Sequence, residues 1–173
     1  VNPVKEIVRI AHSKGVKVLV DGAQGVKHGV IDIKNMDADF YAIAGHKIYG
    51  PTGIGVLYGR EELLNAMPPW QGGGDMIETV SFNGTTYNEL PFKYEAGTAN
   101  YIGAAALATA LKYYQGVGID GIVKYETELL EYATQRLSDI DGLRIIGTAT
   151  DKAAIISFLI GDIHPYDTGM ILD

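Results

Sequence analysis

An α/β fold with a buried, mostly parallel sheet is the class this sequence predicts, on three observations. Val4, Ile7, Val8 and Ala11 follow helical spacing until Gly15; residues 16–20 then form a β-branched run ending in Asp21-Gly22; and two further short apolar runs, 40–44 and 54–58, follow. A helix leading into a nearly continuous apolar strand is the repeating half-unit of such a sheet, because a strand covered on both faces has no polar face to alternate with.

Taken in order, Pro3 sits where a first-turn proline is tolerated and Gly15 suits a C-terminal cap, so the first helix is bounded on both sides. After the third strand, residues 61–66 can make a short helix. Pro68-Pro69-Trp70-Gln71-Gly72-Gly73-Gly74 then reads as a long irregular stretch, since proline and glycine fit neither regular element. Loops of this length inside compact domains tend to be functional. Residues 101–114 predict a helix rich in alanine and glycine that stops at Gly116 and Gly118. A longer helix is expected over 120–138, with Ile122, Val123, Leu129, Leu130, Ala133 and Leu137 on one face and Lys124, Glu128, Glu131 and Arg136 solvated. Asp141-Gly142 makes a turn, and residues 145–146 and 154–160 read as strands of a new unit. A domain boundary is therefore expected near residue 140.

Composition narrows the function classes. The 173 residues carry 21 acidic and 14 basic side chains, a formal charge of −7, and no Lys/Arg-rich run. An acidic surface of this kind repels phosphate backbones and anionic membranes, so no nucleic-acid partner is expected. The longest apolar stretches, such as 103–111, are too short to cross a bilayer, and no membrane association is expected. The absence of cysteine excludes a disulfide framework, thiolate metal ligation and a thiol nucleophile within these residues. The chain opens on Val1-Asn2-Pro3 without an initiator methionine or signal segment, and it closes on Met170-Ile171-Leu172-Asp173 inside an incipient helix. It reads as a segment of a longer polypeptide, with an uncovered sheet edge and exposed apolar faces expected.

The chemistry concentrates after two of the strands. Lys47 follows the 40–44 strand and precedes the glycine-rich turn Gly50-Pro51-Thr52-Gly53, at the kind of strand end where α/β sheets bind ligands. Desolvation at an apolar crevice favours the neutral amine, the form that makes Schiff bases. Asp21 ends the preceding strand 26 residues earlier. A Schiff-base lysine paired with a carboxylate for a protonated ring nitrogen is the arrangement that pyridoxal phosphate requires. Gln24 is close enough to Asp21 to donate to the ring's phenolic oxygen, and His46 can donate to a phosphate. Gly97-Thr98 and Ser81 are weaker phosphate candidates. The plainer readings remain a turn lysine, an Asp-Gly turn and a histidine satisfied by backbone groups. Other chemistries fit worse: residues 50–55 lack the lysine and hydroxyl of a Walker loop, Asp21-Gly22-Ala23-Gln24-Gly25 lacks the dinucleotide fingerprint, and His12, His28, His46 and His164 show no metal-ligand spacing. Asp37 and Asp39 read as loop solvation.

Asp21-Gly22-Ala23-Gln24, Asp39-Phe40-Tyr41, Gly45-His46-Lys47-Ile48-Tyr49-Gly50-Pro51-Thr52-Gly53-Ile54-Gly55, the Pro68 to Gly74 stretch and Phe92-Lys93-Tyr94-Glu95-Ala96-Gly97-Thr98 resemble, in order, the SUF-type cysteine desulfurases/selenocysteine lyases. These belong to the class V aminotransferase group of fold-type I pyridoxal-phosphate enzymes. The resemblance implies that residues 1–140 are the second half of an aspartate aminotransferase-like large domain and 141–173 the start of a smaller α+β C-terminal domain. It implies pyridoxal 5'-phosphate (PLP) as cofactor, held by Lys47 as a Schiff base. Lys47 would later move the substrate α-proton, Asp21 would pair with the pyridine nitrogen, Gln24 would reach the phenolic oxygen, and His46 the phosphate. Thr98 would reach the phosphate of the neighbouring subunit in a cytoplasmic homodimer.

Two positions depart from the family pattern: Ala44, where serine is usual and a phosphate hydroxyl is lost, and Ala99, where proline is usual. The implied reaction takes L-cysteine, with L-selenocysteine as a related substrate, to L-alanine, and leaves a persulfide on an enzyme cysteine for iron–sulfur cluster assembly through a sulfur-acceptor protein. That cysteine and the arginine that binds the substrate carboxylate would lie beyond Asp173, and a histidine stacking on the ring would precede Val1, so this segment alone is expected to be inactive. The same lysine and aspartate also serve aminotransferases, epimerases and kynureninase-like lyases, and a non-catalytic relative of the fold is a further alternative.

Overall fold

The computed structural model describes residues 2–173. By its contacts the chain divides into two compact units, Val4–Gly116 and, in the main, Val117–Asp173. The first unit runs α1 (Val4–His12), β1 (Leu19–Asp21), α2 (Ile33–Met36), β2 (Phe40–Ala44), β3 (Gly55–Gly59), α3 (Glu61–Ala66), β4 (Ile77–Ser81), β5 (Gly84–Tyr87) and α4 (Tyr101–Val117). The second holds α5 (Ile119–Ser138), β6 (Leu143–Ile146), β7 (Ser157–Ile160) and α6 (Pro165–Leu172).

The main sheet has the order β1-β2-β3. β1 and β2 are parallel, with Leu19 opposite Phe40 and Asp21 opposite Ala42. β3, expected as a third strand of a parallel sheet, runs antiparallel to β2, with Ala44 opposite Gly55 and Phe40 opposite Gly59. Chain length explains the difference: only the ten residues 45–54 join the two strands, which is too few for the crossover a parallel return requires. β1 is also shorter than the apolar run that announces it. The Val18 N–H donates to the Asp39 carboxylate at 2.8 Å instead of entering the ladder, so regular pairing starts one residue later.

Val8 of α1, Tyr41 of β2, Ile48 after β2, and Leu107 and Tyr114 of α4 are buried, together with Val26, Ala38 and Met76. Leu19 on the edge strand β1 and Val56 and Leu57 on β3 are exposed, apolar surface that the sheet leaves uncovered on these strands.

A hairpin of β4 and β5 follows the Pro68 to Gly74 stretch, with Ser81 opposite Gly84 and an irregularity in register between Ile77 and Thr79. No sequence reading anticipates it. Its strands are largely polar and exposed, so the alternation that marks a half-buried strand is missing, although Asn83-Gly84 is a hairpin signal. In the second unit β6 and β7 pair antiparallel, α5 packs on β6 and α6 on β7. Pro165 opens α6, and His164 caps it by accepting the Tyr166 N–H at 3.2 Å.

Candidate active site

The carboxyl ends of β1 and β2 form one rim. Asp21 is the last residue of β1, and its register partner Ala42 lies two residues before the end of β2. Each strand runs into a tight turn of 3-10 geometry, Gly25–Lys27 after β1 and Gly45–Ile48 after β2, and the two turns pack against each other. Asp21 and Gln24 precede the first turn; His46 and Lys47 lie in the second.

Local bonds fix both turns. After β1, Gly22 N–H donates to Ala42 O at 3.0 Å and Gly25 N–H to Gly22 O at 3.0 Å. The Asp21 Oδ1 accepts the Ala23 N–H at 3.0 Å, an Asx turn that orients the carboxylate from its own backbone. After β2, Gly45 N–H donates to Ile54 O at 2.9 Å, and Gly50 N–H returns to Gly45 O at 3.0 Å. Gly45 has no room for a side chain, since a Cβ there would stand 2.7 Å from the Ile54 carbonyl oxygen. Tyr49 ends the turn in a left-handed conformation, φ 66°, a backbone region costly for a bulky residue and typical of constrained functional turns.

α4 ties the two turns together. The Tyr114 hydroxyl donates to Lys27 O at 2.9 Å, and its ring lies against that of Tyr49 with centroids 6.0 Å apart. One buried side chain thus contacts the end of each turn. Asn100 makes a second link: its side chain accepts the Gly103 N–H at 2.9 Å as the cap of α4 and donates to Gly53 O at 3.2 Å in the loop that follows Lys47. Neither Tyr114 nor Asn100 is singled out by the sequence. Asn100 before an alanine-rich helix is a cap signal, whereas Tyr114 carries none.

The charges on this rim are open. Asp21, Gln24 and His46 are exposed and Lys47 is half-buried. Among the described residues Lys47 and His46 take part in no hydrogen bond or ion pair, and Asp21 pairs with no cation. Thr98 is exposed on the loop before α4, where Gly97 N–H donates to Gly74 O at 2.8 Å; no hydrogen bond joins it to the other candidates. Ser81 stands apart in the hairpin and is used there, donating to Gly84 O at 3.0 Å and accepting the Asn83 N–H at 3.2 Å. Lys93 and Tyr94 serve structure: Lys93 Nζ donates to Leu64 O and Asn65 O, and the Tyr94 hydroxyl to Leu64 O and Met67 O, at 2.7 to 3.1 Å. They satisfy the last carbonyls of α3.

The strongest electrostatic feature lies at the other end of the strands and corrects the expectation of loop solvation. Asp39, just before β2, is fully buried. Its Oδ2 is 2.7 Å from His12 Nε2 and 2.8 Å from Val18 N, and its Oδ1 is 3.4 Å from Arg60 Nε and 3.5 Å from Lys17 Nζ. Asp37 joins the cluster through Arg60 and through His12 Nδ1 at 3.3 Å. Burial works against the Asp39 charge, but the His12 and Val18 hydrogen bonds, aided by the charges of His12 and Lys17, outweigh it and hold the carboxyl below its ordinary range. This cluster locks α1, β1, β2 and the start of α3 together.

Asp21, Gln24, His46 and Lys47 thus share the carboxyl rim of a parallel strand pair, the end of the sheet at which α/β domains bind ligands. The chain matches the family Aminotransferase class-V over residues 1–173 and belongs to it. A protein named probable cysteine desulfurase from Mycolicibacterium paratuberculosis is 50% identical over 173 residues, which cover 100% of this chain and 25% of that protein. A cysteine desulfurase of Enterobacter sp. is 50% identical over 173 residues, covering 99% of this chain and 42% of its own length. Among solved structures, the Escherichia coli cysteine desulfurase CsdA superposes with a TM-score of 0.90 at 41% identity over 98% of this chain and 42% of that one. A C-DES variant with glycine covalently linked to its PLP cofactor superposes with a TM-score of 0.81 at 27% identity over 92% of this chain and 43% of that one. The chain thus spans between a quarter and about two fifths of the length of these relatives.

Proposed function

We propose that the protein to which this chain contributes is a PLP-dependent cysteine desulfurase. The observation that carries this reading is 50% identity along the whole chain with cysteine desulfurases, joined to the one rim that holds Asp21, Gln24, His46 and Lys47. The residues present fit the cofactor. Lys47 is an amine with no hydrogen-bond or ion-pair partner among the described residues, and Asp21 is an exposed carboxylate already oriented by its own turn.

Bound PLP supplies an electron sink for charge developing at the substrate α-carbon. Lys47 would hold the cofactor covalently through its amine and would move the substrate α-proton. Asp21 would keep a proton on the pyridine nitrogen, Gln24 would donate to the phenolic oxygen, and His46 and Thr98 would hold phosphate, Thr98 that of the neighbouring subunit in a homodimer. In the net reaction L-cysteine and an enzyme thiol give L-alanine and an enzyme persulfide: the substrate C–S bond breaks, an S–S bond forms, and the thiol proton ends on alanine. The chain contains no cysteine, so the accepting thiol lies outside residues 1–173. Residues 1–140 as part of the large domain, residues 141–173 as the start of the small one, a cytoplasmic location, a sulfur-acceptor protein and a role in iron–sulfur cluster assembly belong to the same proposal and rest on the resemblance.

The test is alanine formation by the full-length protein. With L-cysteine and a thiol reductant it is expected to produce alanine and a reducible persulfide, and Lys47→Ala is expected to produce neither. Absence of alanine from the parental protein loaded with PLP contradicts the reading.

A further inference from the structure

Tyr41 lies beneath the turn that carries Asp21, and nothing in the chemistry above uses it. On β2 it stands opposite Val20 of β1, 2% exposed. Gly22 is what allows the ring to sit there. A Cβ on Gly22 would fall 2.0 Å from the Tyr41 Cε1 and Cζ and 2.2 Å from its hydroxyl, far inside any real contact. The hydroxyl is 3.5 Å from where a Cβ on Gly25 would stand, so the ring edge runs under the turn from Gly22 to Gly25. Val26 N–H donates to Gly22 O at 3.2 Å, which closes the turn over it. Asp21 is the residue between Val20, which Tyr41 faces, and Gly22, which its ring touches. The two side chains also sense each other: burial first, and then the negative charge of Asp21, push the phenol above its ordinary value, so the hydroxyl stays neutral at physiological pH.

We propose that Tyr41 is a positioning residue for the cofactor site, its ring seated under Gly22 to set where the Asp21 carboxylate and the Gln24 amide stand on the carboxyl rim. This rests on the reading that PLP binds at that rim. The ring touches neither cofactor nor substrate, and it acts through the turn. A carboxylate must meet its charged partner within a few tenths of an ångström of the productive geometry, so support beneath the turn is felt at the site.

Two readouts test this in the full-length protein: PLP affinity, and the pH midpoint of the bound cofactor's visible absorbance, which reports how firmly the Asp21 charge is held against the ring. Tyr41→Phe keeps the ring and is expected to leave both at parental values. Tyr41→Met removes the ring and is expected to weaken PLP binding about 10-fold, equivalent to ~1.4 kcal/mol, and to move the pH midpoint by about half a unit. Gly22→Ala pushes on the same contact from the other side and is expected to change both readouts similarly. In the double variant the new methyl enters the space the ring vacates, so it is expected to recover most of what each single variant loses, a coupling that only neighbours show.

The proposal is overturned if Tyr41→Met and Gly22→Ala melt at lower temperature while affinity and midpoint stay parental, because the ring then only fills the core. It is also overturned if the two losses simply add. Should one single variant fail to fold, the other is read in the same terms. A parental protein that binds no PLP is a distinguishable outcome, since it overturns the cofactor assignment itself and this proposal with it.

Discussion

The two ends of the β1–β2 pair hold the same kinds of side chain and treat them in opposite ways. At the amino end Asp39 is buried and surrounded by His12, Lys17, Arg60 and the Val18 N–H. At the carboxyl end Asp21 is exposed with one backbone donor, and Lys47 stands without an ion pair among the described residues. A buried carboxylate must be satisfied within the protein or it costs several kcal/mol, whereas an unsatisfied charge at a rim is available to a ligand. At the amino end Asp39 Oδ2 is hydrogen-bonded while Oδ1 has only the nearby Arg60 and Lys17 charges, so that end serves the fold, and the open end is where chemistry can occur.

Substitutions at the two ends are expected to separate activity from stability. The largest effect is on turnover: Lys47→Ala in the full-length protein is expected to lower alanine formation by about 100-fold or more, with the melting temperature of the PLP-free protein unchanged. Comparable activity in that variant would erase the contrast. Next comes Asp39→Ala, expected to cost about 3 kcal/mol in denaturant unfolding because it removes the acceptor for His12 and Val18 and leaves two cations facing an emptied site. Asp21→Ala is expected to cost no more than about 1 kcal/mol by the same measurement. Equal losses at Asp39 and Asp21 would mean that burial does not separate the two ends.

Acid acts on the amino end first. The Asp39 carboxyl is held below its ordinary value in the folded protein, so the unfolded chain takes up its proton first as pH falls. The stability this group contributes is present above about pH 4, the unfolded value, and is lost as pH drops through the lower folded value. Asp39→Asn is expected to flatten that acid limb of the stability profile. At the alkaline side the Tyr41 phenol is raised: its contribution is whole below about pH 10, the unfolded value, and declines as pH rises through the folded value, so Tyr41→Phe is expected to soften the alkaline loss. The smallest effect is at the surface. Arg9 pairs with Glu6 at 2.6 Å in full solvent, and Arg9→Ala is expected to leave the melting temperature unchanged within error.

The carboxyl rim was more legible in the sequence than the amino end, for a physical reason. β2 stands where its apolar run predicts it, and α1, α3, α4 and α5 lie within a few residues of their predicted spans, because burial periodicity and glycine caps are local signals. Asp21, Gln24, His46 and Lys47 sit on strand ends and turns, where spacing in sequence converts directly into position. Asp39 looked like a solvated loop residue because its partners His12, Lys17 and Arg60 come from three separate stretches, and the fold alone brings them together. Tyr41 looks in the sequence like one more apolar strand position for a similar reason: its fit under Gly22 depends on the pairing of β1 with β2, which no window along the chain contains. The antiparallel course of β3 was inferable from the ten-residue connection, since chain length forbids the parallel alternative. The β4–β5 hairpin was marked only by Asn83-Gly84, with no buried face to support it.

The most direct measurement of the central claim, that the carboxyl rim holds PLP through Lys47 opposite Asp21, is borohydride reduction of the PLP-loaded full-length protein followed by peptide mapping. A pyridoxyl phosphate mass is expected on Lys47, absent in Lys47→Ala and diminished in Asp21→Ala. A label on another lysine, or none while the protein remains folded, would contradict it.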